Sequence, residues 1–183
     1  LLRATTNLVL YERAFGEEGV PYVVIQGRGY YAAREVVDLA HLLLLLSDPS
    51  DKYRAVAAMT SLFCGVPESD LLHLDAKGPL PFSATKAPRP PQIPPDRWER
   101  LLRFARSFKE GRDLAQRVTT GDPVATIPRE TRFPELMLLE PDGRRRHANL
   151  MKALRRARQT QEDYATFGRS LLEFRERELR ESE

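Results

Sequence analysis

The sequence predicts a mainly α-helical domain with a small strand–helix–strand edge at its N-terminus. Apolar side chains recur at helical spacing along most of the chain after residue 33, in segments separated by proline, glycine or aspartate. β-Branched and aromatic residues concentrate in one early run at 22–25, and Leu1 and Leu2 offer a second short apolar run. A chain of 183 residues, 42% hydrophobic and 30% charged, is long enough to bury the core of a globular domain.

The N-terminal edge is expected to lead into a buried helix. Apolar spacing predicts a first helix over 6–18, which Gly19 ends, and the strand at 22–25 follows. The next helix, at 33–46, is apolar nearly all round, which predicts deep burial. Its leucine run is shorter than the stretch of about 20 apolar residues that spans a membrane, so we expect no membrane partner.

The rest of the chain is expected to be helical around one connector. A break at 48–51 predicts the cap of a helix over 51–63, and a turn at 65–67 leads to a short helix over 68–75. Residues 77–95 contain seven of the fourteen prolines and no acidic residue, which favours an extended, polyproline-like connector. Helices over 96–110, 112–118, 128–139, 148–158 and 161–181 follow, with a turn at Asp142 and Gly143.

Gly27, Gly29 and Ala32 fit the pattern G-x-G-x-x-A between a predicted strand and a predicted helix. This is the place and the spacing of a dinucleotide-binding turn, in which a helix N-terminus faces the pyrophosphate. The second strand and the acidic ribose partner of such a site are missing, because two helices follow instead. We therefore favour a plain turn whose glycines adopt positive φ, and a small dinucleotide enzyme stays as an alternative.

The residues that commonly carry catalysis or metal binding form no recognisable set. No Walker A sequence occurs, and the single cysteine, Cys64, is expected to be a packing residue of a protein in the reducing cytoplasm. The three histidines, His41, His73 and His147, lack metal-ligand spacing. We accordingly expect no catalytic residue, no metal and no cofactor in this chain.

Basic residues concentrate at 143–158, which holds seven Arg and Lys and no acidic residue. An apolar stripe at helical spacing on the same segment directs most of these cations towards solvent. Such a surface attracts nucleic-acid phosphates by counterion release, and a solvated face is the plain alternative. A second basic helix, at 97–109, is diluted by acidic residues, and for it we favour the solvated face.

An ordered set of motifs runs through the first 51 residues. L-x-R precedes a helix that ends at G-V-P-Y, and then G-x-x-Y-Y-x-x-x-E-V-x-D, a leucine-rich helix and D-P-x-D follow. This set resembles the C-terminal part of UvrD-like superfamily-one DNA helicases, most closely the AddA and RecB type of helicase–nuclease. The run at 59–74 and the Asn149-Leu150 pair are similar to further segments of that family.

The resemblance implies a division of the chain and a task for it. In that family a RecA-like motor half, 2A, carries a mainly helical insertion, 2B. The chain is then a piece of a longer protein, with an edge of 2A at 1–28, helical parts of 2B at 29–76 and 96–183, and a proline-rich connector at 77–95. The parent is implied to be an ATP-dependent DNA helicase of 3′-to-5′ polarity in repair or recombination, with its ATP and Mg²⁺ site elsewhere.

The resemblance also implies partners and some of the contacts. The piece would bind or guide duplex or tailed DNA ahead of the motor, beside a nuclease that is either fused to the motor or carried by a separate protein. Arg3 and Thr5 lie near the 2A end, and the turn at Gly65 and Val66 is where relatives use backbone amides, although Pro67 lacks one such donor. Charge alone adds Arg144, Arg145, Arg146, Lys152, Arg155 and Arg156. The open alternative is a helical protein–protein module without DNA binding.

A domain junction is expected where the chain leaves the motor edge. It is assigned to Gly27, Gly29, Tyr30, Tyr31, Glu35 and Asp38. The two tyrosines are expected to anchor the junction by burial. The two carboxylates lie about one helical turn apart, so both are expected to face one neighbour, such as an arginine.

Overall fold

The computed structural model describes residues 8–20, 29–74, 78–86, 88–117, 133–139, 142–160 and 162–180. These ranges contain helices and turns, and no strand, which confirms the mainly α class. The predicted strands at 1–2 and 22–25 lie outside the described residues. The α-helices are α1 (Leu8–Glu17), α2 (Arg34–Ser47), α3 (Lys52–Thr60), α4 (Glu68–Leu71), α5 (Pro95–Ala115), α6 (Phe133–Met137), α7 (Gly143–Gln159) and α8 (Tyr164–Arg180).

Helix α2 lies at the centre of the core. It packs against α3, α5, α7 and α8, and Leu39, Leu42 and Leu43 are fully buried. Each such leucine contributes roughly 1.5–3 kcal/mol relative to an exposed one. Helix α8 approaches α2 closely at Gly168, where an added Cβ would lie 3.1 Å from the Leu43 side chain. The deep burial predicted from the apolar run is confirmed.

The predicted break between α2 and α3 is a helix cap. The Asp51 side chain accepts a hydrogen bond of 3.0 Å from the backbone N–H of Arg54. This bond satisfies one of the N–H groups that have no partner within the first turn of a helix. The cap therefore fixes the angle at which the chain leaves α2 and starts α3.

The proline-rich segment differs from its prediction. Residues Leu80–Thr85 form a 3-10 helix that packs against α5, and Ile93 is fully buried. The Phe82 ring lies 5.5 Å from that of Phe108 on α5. The expected extended conformation is wrong for 80–85, because apolar residues between the prolines gain more from burial than the chain gains from solvation. The domain boundaries at 77 and 95 stay predictions.

Two helix boundaries also differ from the sequence pattern. Helix α5 is continuous through Gly111, where a break was expected, because Gly111 lies on the buried face beside Phe108 and Ala115. That packing outweighs the cost of about 1 kcal/mol for a helical glycine. Helix α7 begins at Gly143 rather than at 148, directly after Asp142, whose φ is 58°. Residues 144–146 therefore belong to the basic helix.

Candidate nucleic-acid interface

The turn at 29–31 is held by the last turns of α8. The two carboxylate oxygens of Glu178 accept hydrogen bonds from the backbone N–H groups of Gly29, at 2.8 Å, and Tyr31, at 3.0 Å. Gly29 has a φ of +92°, a conformation that favours glycine. The positive φ expected of this glycine is confirmed, and Gly27 lies outside the described residues.

The tyrosines of this turn form an aromatic cluster with α8. The Tyr31 ring stacks on Phe174 at 5.0 Å, and Tyr30 meets Tyr31 edge-on at 4.9 Å. Both tyrosines are half-buried against the core, as expected of residues that anchor a junction. Burial raises the pKa of Tyr30 to about 12, with the neighbouring Tyr31 adding to the rise.

Cations from the basic helix α7 cover this cluster. The Lys152 ammonium lies 4.3 Å from the centre of the Tyr30 ring. The Arg156 guanidinium donates a hydrogen bond of 2.6 Å to the Tyr31 hydroxyl and lies 5.5 Å from the Phe174 ring. Two sets of residues that the sequence assigned separately, to a junction and to DNA contacts, are thus brought together.

The carboxylates predicted for the junction do face basic residues. Arg146 on α7 lies 3.9 Å from Glu35, which also accepts a hydrogen bond of 2.8 Å from the Asn149 amide. Asp38 lies 3.8 Å from Arg34, one turn away on α2. Arginine neighbours are therefore confirmed, although each carboxylate is closest to a different one.

Asp38 is an incompletely satisfied buried carboxylate. Its Oδ2 atom has no hydrogen-bond partner among the described residues, since 3.8 Å to Arg34 is an ion-pair distance and exceeds a hydrogen bond. Burial raises the pKa of Asp38 to about 6, against the opposing charge of Arg34, and the neighbouring charge of Glu35 adds to the rise.

The cations predicted to contact DNA fall into two classes. Arg146, Lys152 and Arg156 interact with carboxylate or aromatic groups of the fold, and Arg145 lies 3.2 Å from Asp142. By contrast, Arg144 and Arg155 are exposed, with no ion pair or hydrogen bond to any other described residue. Arg158, which was not among the predicted contacts, has the same freedom.

These three residues, Arg144, Arg155 and Arg158, form what we call the arginine stripe. At 100° and 1.5 Å per residue they lie within about 60° of one another around α7 and extend about 21 Å along it. The buried face of the helix, which includes Leu150, Ala153 and Ala157, points away from the stripe. The arrangement presents three unpaired positive charges in a line to solvent.

The predicted contact at the Gly65 turn has a different character. The Gly65 N–H donates to the Ser61 carbonyl at 2.7 Å, and the N–H of Val66, a buried residue, donates to the Met59 carbonyl at 3.2 Å. Both amides therefore have partners within the fold. Arg100 lies over this turn and donates to the Gly65 carbonyl at 3.4 Å. Arg3 and Thr5 lie outside the described residues.

The arginines of α5 are mostly paired. Arg97 contacts Asp70 at 3.3 Å, Arg100 contacts Asp96 at 3.9 Å, and Arg103 contacts Glu99 at 3.6 Å. Pairs at i,i+4 on an exposed helix are typical of a solvated face. The structure thus agrees with the interpretation favoured for 97–109.

The two other reactive side chains singled out in the sequence are part of the packing. Burial raises the pKa of the Cys64 thiol to about 12, so the thiol stays protonated and Cys64 acts as the expected packing residue. Arg54 donates to Nδ1 of His41 at 2.6 Å. Burial, together with the positive charges of Arg54 and Arg175, lowers the pKa of His41 to about 4.

Sequence reasoning missed the residues of α8. Phe174 and Glu178 lie one turn apart and both face the 29–31 turn, but their charged surroundings predicted only a solvated helix. The spacing of Phe174 and Leu171 on one helix face was the available signal for a buried side. Nothing local indicated that Glu178 would bind a turn 149 residues away.

Two kinds of feature are not found among the described residues. No helix there is long and apolar enough to cross a membrane. Within the same ranges, no three His, Cys, Asp or Glu side chains gather as a metal site.

Curated proteins similar to this chain are named as the AddA subunit of the ATP-dependent helicase/nuclease. The protein of Lysinibacillus sphaericus is 26% identical over 155 residues, which is 82% of this chain and 12% of that protein. Those of Heliobacterium modesticaldum and Desulforamulus reducens are each 30% identical over 95% of this chain, which covers 13% and 14% of them. No family model matches the chain.

These similarities confirm the coarser part of the resemblance. The chain is distantly related to AddA helicase/nuclease proteins over most of its length. It spans about one-eighth of the length of these relatives.

Proposed function

We propose that this chain is the accessory 2B-type part of a UvrD-like, AddA-type DNA helicase or helicase–nuclease, and that it binds or guides duplex DNA ahead of the motor. The helicase and nuclease context comes from the names of its relatives. On this proposal ATP and Mg²⁺ act in the remainder of the parent protein, in double-strand-break repair or recombination. The chain itself contributes binding and no chemical step.

The arginine stripe supports DNA binding most directly. Its guanidinium groups have no carboxylate partner among the described residues, so a phosphate backbone would not have to displace an existing ion pair. Each contact with a phosphate releases a counterion and adds about 0.9 to the slope of log affinity against log salt. Because the stripe reads charge alone, binding should be independent of base sequence.

The test is a salt titration of the 183-residue chain against duplex and tailed DNA. Wild type should bind with an affinity that falls steeply with salt. The double variant Arg155→Gln, Arg158→Gln should lower that slope by about 2, since two phosphate contacts are lost.

A matched control is available on α5. Arg103→Gln with Arg106→Gln removes the same charge at the same i,i+3 spacing and should leave the slope nearly unchanged. DNA binding that ignores salt, or an equal effect of both double variants, would sink the assignment of the stripe.

One observation favours a second candidate, a protein–protein module of a helicase-like protein. Leu138 and Leu139, at the end of α6, are 49% and 83% exposed, and Leu72 is 80% exposed. Absence of DNA binding even at low salt would favour this candidate.

A further inference from the structure

The Glu178 carboxylate occupies a small anion-binding turn. The N–H groups of Gly29 and Tyr31 point at its two oxygens, one hydrogen bond to each. Successive backbone N–H groups in a turn that includes a positive φ form a concave donor site for anions. Glu178 thus fills the position of a bound anion with a side chain of the same protein.

A phosphate group presents the same recognition features as this carboxylate. It carries negative charge and a pair of oxygens that accept hydrogen bonds from two neighbouring donors. The bonds at Gly29 lie at an exposed position, so a ligand can approach from solvent. The site therefore suits any oxyanion that can replace the Glu178 side chain.

Positive charge surrounds the site. The guanidinium groups of Arg156 and Arg177 lie 5.5 and 5.8 Å from the ring of Phe174. Phe174 is one helical turn before Glu178, so this ring and the carboxylate occupy the same face of α8. The two arginines would therefore favour an incoming phosphate as they favour Glu178.

Glu178 lies where a helix releases its contacts most easily. Helix α8 ends at Arg180, and the last turn of a helix carries carbonyl groups without intrahelical partners. Local opening at a helix end takes far less free energy than opening of the core. Displacement of this side chain leaves the packing of α8 at Phe167 and Leu171 intact.

We propose that the 29–31 turn is a phosphate-binding site that Glu178 occupies as an internal substitute, and that a phosphate of the DNA backbone displaces it. The anion site stands on the geometry of the turn alone. Only the choice of DNA as the source of the phosphate rests on the proposed function.

The experiment follows the backbone amides of Gly29 and Tyr31 by NMR in the 183-residue chain, with inorganic phosphate as the probe. In Glu178→Ala the two N–H groups lose their acceptor, so phosphate should shift both resonances saturably. Its affinity at these amides should exceed that of wild type by about tenfold or more. Glu173→Ala removes the same charge from the same helix away from the turn, and should behave as wild type.

A second variant guards against misfolding. Glu178→Gln keeps the size of the side chain but offers one acceptor oxygen and no charge, so its phosphate response should be intermediate. A folded Glu178→Ala chain whose two amides ignore phosphate would overturn the proposal. Loss of the fold in both variants would also overturn it, because Glu178 would then be a structural contact that no ligand can replace.

A DNA arm separates this inference from the proposed function. Duplex DNA added to wild type should shift the Gly29 and Tyr31 amides. A phosphate response without DNA binding would leave the anion site standing and contradict the proposed function. DNA binding with no response to either ligand at these amides would contradict the anion site and leave the proposed function standing.

Discussion

Arg156 and Tyr31 lie 125 residues apart in the chain, and the Arg156 guanidinium donates a hydrogen bond of 2.6 Å to the Tyr31 hydroxyl. This bond joins the basic helix α7 to the turn by which the chain enters α2. Glu178 binds the same turn from α8. Two helices that are distant in sequence from the turn therefore hold it in place.

Tyr31→Phe should weaken the fold at this joint. The change deletes the hydroxyl and keeps the ring that stacks on Phe174, so the expected loss is about 1 kcal/mol in the free energy of unfolding. Urea denaturation measures it. Tyr53→Phe is the control, because Tyr53 is 70% exposed, and it should change stability very little. Equal effects of the two variants would contradict the structural role of the Arg156 bond.

The division of the cations predicts separate effects on stability and on DNA binding. Lys152→Gln with Arg156→Gln removes two cation–π contacts and one hydrogen bond, so unfolding should become easier by about 1–2 kcal/mol. The salt dependence of DNA affinity should stay near that of wild type. Arg155→Gln with Arg158→Gln should show the reverse pattern. If both pairs lowered the salt slope equally, the distinction between fold contacts and free arginines would be wrong.

Asp38 and His41 predict opposite pH dependences of stability. The pKa of Asp38 is raised from 3.8 to about 6, so between these values the folded state binds more protons and stability increases as the pH falls. The pKa of His41 is lowered from 6.5 to about 4, so in nearly the same window the unfolded state binds more protons and stability decreases as the pH falls. Wild type should therefore show a shallow pH dependence between about pH 4 and 6.

Single substitutions should reveal the two opposing slopes. Asp38→Asn removes the first, so stability should fall on acidification by an amount on the order of 2 kcal/mol. His41→Asn keeps an acceptor for Arg54 without titrating, and stability should instead rise on acidification. Urea denaturation at several pH values measures both. Parallel curves for wild type and both variants would contradict the burial of these two groups.

The elements that local chemistry determines were predictable from the sequence. The apolar run of α2 and the Asp51 cap of α3 depend on neighbouring residues only, and both agree with the structure. The 3-10 helix at 80–85 was not predictable in the same way. Its prolines favour an extended chain, and the burial of Leu80 and of Ile93 that reverses this preference comes from the distant helix α5 and the common core.

The candidate site divides along the same line. The basic character of α7 is visible in the sequence, but which of its cations are free depends on partners from other elements. Arg146 is paired because Glu35 lies opposite it on α2, and Arg155 is free because nothing described lies opposite it. Such pairings between residues far apart in the chain leave no periodic or local signal in one sequence.

The start of α7 provides the sharpest test of packing. Gly143 is helical, and alanine in a helix is normally favoured over glycine by about 1 kcal/mol. Here an added Cβ would overlap the carbonyl oxygen of Met137 and press on the backbone of Leu138, so Gly143→Ala should destabilise the protein by about 2 kcal/mol or more. Gly78→Ala is the control, because its Cβ would meet only the flexible end of Lys86 at 3.5 Å. Thermal unfolding distinguishes them, and a stabilised Gly143→Ala would mean that α6 and the first turn of α7 do not pack as described.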